Sequence, residues 1–215
     1  MAPADERGCN LSTAAAVRAA GLALLLSAAV SSAASAQTFA GVAKFVGGGA
    51  LGLALHESAH VIADVGSGVT PGVKKVTFGP IPFFAITHDA VSPPREFVIS
   101  SAGFWMQHAV SELVLVRHGD LRHEDAAMLK GVLAFNVLAS VAYAGAAFAR
   151  TGPDERDTRG MAVSARMDEP LVGAVILAPA LLDAARYYGL KNRVVVWASR
   201  AAKIGGVLLV IRAAQ

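Results

Sequence analysis

His56-Glu57-Ser58-Ala59-His60 is the part of this 215-residue chain best equipped to do chemistry. On a helix, two imidazoles one turn apart lie about 6 Å from each other on one face and can share a zinc ion. The glutamate between them projects roughly 100° away, where it can take a proton from water without binding the ion. This is the HExxH arrangement of zinc hydrolases, with Glu57 as base and His56 and His60 as metal ligands. The segment around it is apolar enough to enter a membrane, where such side chains are costly without a task.

A catalytic zinc takes a third protein ligand and keeps one position open. Asp64 lies eight residues beyond His56, about 12 Å along a continuous helix, and reads as a helix-end residue or a partner of the ligands. His118 and His123 sit in a charged link and face solvent; His88 follows the ribbon, which could fold back over the site, and a surface role is its favoured reading. His108 and Glu112 share one face of a later apolar segment, where either could line a cavity. Asp183 is the favoured third ligand. It follows Leu177-Ala178-Pro179-Ala180-Leu181-Leu182, and a lone carboxylate in such surroundings needs a cation or donors. Pro179 loosens the helix nearby and opens its backbone. The alternative for Asp183 is a pair with Arg186 at the membrane edge.

Composition places these residues in a membrane protein. Hydrophobic residues make up 54% and charged residues 16%, against roughly 25% charged in a soluble domain. The net charge is +3 with the signs interspersed, which leaves no footprint for a nucleic acid partner. Cys9 is the only cysteine, so an intrachain disulfide and a thiolate metal site are both excluded. Arg7 and Arg18 precede the apolar run Ala19–Val30, and Ala34-Ser35-Ala36 is an A-x-A cleavage site. Residues 1–36 therefore read as a signal peptide and 37–215 as a membrane-embedded domain, with an uncleaved anchor as the alternative. The expected location is the bacterial inner (cytoplasmic) membrane.

The elements that must position the site follow in order. A first helix over about Phe39–Val65 carries glycines at 41, 47, 48, 49 and 52, which allow close helix approach in lipid. Gly66-Ser67-Gly68 and Pro71-Gly72 end it. Val73–Ile86 mixes β-branched and aromatic residues with prolines and reads as a short β-ribbon. A second span over Phe97–Val116 and a third over Ala126–Ala149 flank a charged link. Arg150–Glu169 carries both charge signs and Gly152-Pro153, and reads as a solvated loop. Pro170 opens a fourth helix to about Tyr188. A last helix over Val194–Ile211 holds Arg200 and Lys203, which suits one lying at the interface. The expected architecture is all-α and polytopic, a bundle of four to five helices with a short β-ribbon after the first core helix.

These motifs, in this order, resemble the site-2 protease family of intramembrane zinc metalloproteases. Val76-Thr77-Phe78-Gly79-Pro80 stands where that family has a G-F-G-P-like turn. Ala102-Gly103-Phe104-Trp105-Met106-Gln107 stands for its A-G-P-x-x-N signature, and Leu182-Asp183-Ala184 for its L-D-G motif. Phe104, Gln107 and Ala184 depart from the family's proline, asparagine and glycine.

The resemblance implies a site-2 protease-like bundle with Zn2+ held by His56, His60 and Asp183 and with Glu57 as base. It implies hydrolysis of peptide bonds in transmembrane protein substrates within the lipid bilayer. The ribbon would take the substrate as an added strand, with Phe78 and Gln107 as substrate-binding residues. The rival reading is a non-proteolytic metal-binding membrane protein of the same fold. A purely structural helix bundle would leave His56, Glu57, His60 and Asp183 without a purpose.

Overall fold

The computed structural model describes residues 39–213 apart from 79–80 and 190–191. The expected signal peptide, Cys9 and the Gly79-Pro80 step of the ribbon lie outside the described residues. Helix α1 (Phe39–Gly66) buries Gly48, Gly52, His56, His60 and Asp64, a stripe with a residue every fourth position. Side chains four apart lie above one another on a helix, so this is a single ridge. Its upper part is a backbone contact. A Cβ on Gly48 would meet the Met128 carbonyl oxygen at 2.0 Å, and one on Gly131 would meet that of Phe45 at 1.9 Å. The glycines expected to permit close approach do so here.

Strands β1 (Gly72–Phe78) and β2 (Ile81–Thr87) follow as an antiparallel hairpin, with Gly72 opposite Thr87 and Phe78 opposite Ile81. Helix α2 (Pro93–Arg117) opens with two prolines in its first turn, where a missing N–H costs nothing. It packs against α3 (Ala127–Ala149), α4 (Asp157–Ala165), α5 (Glu169–Tyr187) and α6 (Arg193–Ala213). One core joins α2 to α5 through Phe97, Phe104, Ala144, Met161, Val172 and Ile176. A smaller cluster of Val114, Leu115, Leu121 and Leu133 closes the far end.

Four of the described helices are long and apolar enough to cross a membrane: α1, α3, α5 and α6. Two expectations change here. The second expected span, now α2, is not among the four, because it carries Glu96, Gln107, His108 and Glu112 on its way through the middle of the bundle. The last helix is among them. Its Arg200 and Lys203 turn inward onto Glu112, so they do not hold it at the interface.

Candidate metal centre

His56 and His60 reach the centre of the molecule because α2 gives way at Gly103. A Cβ there would lie 2.4 Å from Cε1 and 2.5 Å from Nε2 of His56. Phe104 meets the His56 ring edge-on at 5.6 Å, and Tyr143 of α3 stacks on it at 6.0 Å. His60 is fixed differently. Its Nδ1 donates to the Ile99 carbonyl at 2.8 Å, so the lone pair of the neutral ring is on Nε2.

That Nε2 lies 3.2 Å from Nε2 of His56 and 3.4 Å from Oδ2 of Asp157. The same carboxylate oxygen lies 3.2 Å from Nε2 of His56. A neutral His60 would thus aim a lone pair at a carboxylate oxygen, a contact that a shared cation relieves. Zinc–nitrogen bonds of about 2.0–2.1 Å in a tetrahedron give ligand–ligand edges of about 3.3 Å. The three donor atoms stand at that spacing, and two histidines with one carboxylate are an established catalytic zinc set. The residues present therefore fit the ion.

Asp157 is the first residue of α4, in the segment expected to be a solvated loop, and that expectation is corrected. Thr158, Met161 and Ala162 are buried, a three-four spacing that seats α4 on the bundle. Gly160 is also part of the contact: a Cβ there would meet Oγ of Ser100 on α2 at 2.1 Å. Arg156, itself buried, pins the start of α4 to α5. It donates from Nε at 2.7 Å and Nη2 at 2.8 Å to the two carboxylate oxygens of Glu169. The apolar stripe in the sequence was the available signal, masked by Asp154, Glu155, Arg156, Asp157 and Arg159 around it.

Asp183 is not brought to the histidines. Its Oδ1 accepts from Ser199 Oγ at 2.7 Å and from Lys203 Nζ at 2.8 Å, both on α6. Arg186 stands 3.5 Å from the same oxygen, as the membrane-edge alternative anticipated. Oδ1 thus has its donors on α6, while the buried Oδ2 has no hydrogen-bond partner. Gln107 is buried with neither amide atom partnered, away from the cleft, and the side chain of Phe78 is outside the described part.

Among the other candidates, Asp64 is buried with His88 Nε2 at 3.9 Å, and His108 is buried with its Nε2 unpartnered. His118 and His123 pair with Glu124 and Asp120 in the link.

Glu57 faces the same cleft as His56, His60, Tyr143 and Asp157. The opposite wall is the run Phe83–Ile86 of β2. An ion pair between Lys74 of β1 and Glu155 ties this hairpin to the turn that precedes α4. Comparison with protein-family models, with curated proteins and with solved structures yields no match for this chain.

Proposed function

We propose that this chain is a zinc-dependent endopeptidase that cleaves transmembrane segments of other proteins. One juxtaposition carries the reading: three zinc-competent donor atoms and an unligated glutamate share a cleft walled by a β-strand. A structural metal needs no adjacent base. Zinc held by His56, His60 and Asp157 would supply Lewis acidity to the scissile carbonyl and make water a stronger acid.

The chain's own residues do the rest. Glu57 takes a proton from water as the water oxygen bonds to the carbonyl carbon. It returns that proton to the amide nitrogen as the C–N bond breaks, so the base is restored and two peptide ends leave. A transmembrane helix hides its carbonyls in its own hydrogen bonds, so the substrate must unwind first. In a two-stranded sheet β2 has one edge not paired to β1, and an unwound segment can add to it as a strand. Tyr143 and Phe104 hold the His56 ring while this happens.

A second reading, a metal-binding protein of similar fold without proteolytic activity, is favoured by two departures from the site-2 protease pattern. The third donor comes from α4 in place of α5, and Gln107 is turned away from the cleft.

Zinc content and cleavage of transmembrane peptides by the purified full chain separate the readings. Wild type is expected to hold one zinc and to cleave. Glu57→Gln should keep the zinc and lose about 10²–10⁴ in rate. Asp157→Ala should lose the zinc, whereas Asp183→Ala should retain it. Zinc-loaded wild type with no cleavage of any transmembrane peptide selects the second reading.

A further inference from the structure

A second polar centre lies where the last turns of α2 and α5 meet the first three turns of α6. It is independent of the metal site. Glu112 accepts from Arg186, from Nε of Arg200 at 2.9 Å and from Nζ of Lys203 at 2.8 Å. Asp183 adds the other carboxylate among the described residues, bound to Ser199 and Lys203. Three cations therefore face two carboxylates, an excess of one positive charge. Arg186 and Lys203 are buried, and charges taken out of water require partners.

The excess has an address. Arg186 and Arg200 line a cleft whose other walls are Leu115, Val116, Gly119 and Val196. No carboxylate lines it among the described residues. Arg200 spends Nε on Glu112, and its guanidinium lies 5.7 Å from the Trp197 ring, while its two terminal nitrogens find no acceptor among the described residues. A planar fork with free donors beside apolar side chains suits an anion that carries oxygens in a plane and a hydrophobic tail. The position agrees. Trp197 and Tyr188 are exposed around it, and aromatic rings with a polar edge gather at the headgroup level of a bilayer.

The geometry points to a binding site for a phosphate-bearing anion at the Arg200 fork, beside Arg186, with the headgroup of an anionic phospholipid as the source that uses both this fork and the apolar wall. One such headgroup brings the cluster to neutrality. Basic pockets between membrane helices hold anionic headgroups in this manner.

The test uses the full chain in neutral detergent, titrated with phosphatidylglycerol, phosphatidylcholine or inorganic phosphate. Native mass spectrometry and the unfolding temperature are the readouts. Saturable binding and stabilisation by phosphatidylglycerol, absent with phosphatidylcholine, are expected. Arg200→Gln removes the half-exposed fork and should weaken binding roughly five- to tenfold. Val196→Asp places an acceptor in the cleft wall and should abolish binding without loss of helicity. Stabilisation by inorganic phosphate as strong as by the lipid would support the anion site with a soluble source. Binding that is equal for both lipids, or unchanged in both variants, would overturn it.

Discussion

At the scale of single residues, Gly103 decides whether His56 can stand where Asp157 meets it. Any Cβ at this position falls within 2.6 Å of three imidazole atoms. The ring has no retreat, since Phe104 and Tyr143 occupy its edge and face. Gly103→Ala is therefore expected to weaken zinc binding about 10–100-fold, the usual effect of disturbing a ligand's support. A chelator competition titration measures this, with helicity as the control for folding. An unchanged affinity would mean that His56 is not held by this contact. His56, Glu57 and His60 were readable in sequence because their relation is local, one turn of one helix. Asp157 lies 101 residues from His56, and no spacing rule spans that distance. Asp183 attracted the assignment through a sound requirement, that a carboxylate in an apolar run needs donors. Ser199 and Lys203 meet that requirement from a helix that sequence could not place beside it.

At the scale of elements, the position of the histidines follows from the crossing of α1 and α3. Gly48 and Gly131 let the two backbones touch, and Gly52 lies against the ring of Phe135. Gly131→Val would push branched carbons into the Phe45 carbonyl, which is backbone and cannot rotate aside. The helices must then separate, at a cost of about 1–3 kcal/mol or more. Because His56 continues the same ridge, zinc affinity should fall in step with the unfolding temperature. Stability lost with zinc affinity intact would separate the crossing from the site.

The glycines announced this contact because in lipid their main use is close packing. Helix α4 was hidden for the opposite reason. Its outward face carries Arg159, charged residues crowd the turn before it, and its buried stripe is only a few residues long, so its composition resembles a solvated loop. For α6 the charges were visible but their direction was not. Arg200 and Lys203 read as interfacial residues, yet carboxylates on α2 and α5 turn them inward.

At the scale of the whole molecule, the chain is arranged with its polar groups inside. His56, Asp157, Glu112, Asp183, Arg186 and Lys203 are gathered between helices, while Leu138, Phe148, Leu181, Ile204 and Leu208 face out. A soluble domain would invert this pattern, whereas a bilayer satisfies it. The depth of each outward residue then matters, and α3 offers a direct measure. Leu138 is at the middle of α3 and Met128 is in its first turn, both exposed on the outer surface. Lys130 already sits near that end, its ammonium donating to the Arg122 carbonyl at 2.9 Å, so a cation there has polar company. Leu138→Arg should raise the apparent insertion free energy of α3 by about 3–4 kcal/mol, the gap between leucine and arginine at a helix centre. Met128→Arg should cost a small fraction of that, since its guanidinium can extend to the headgroups. A glycosylation-mapped insertion assay of the full chain reads both. Equal penalties at the two positions would mean that α3 lies along the membrane surface, and the candidate metal centre beside it would then open to water and not to lipid.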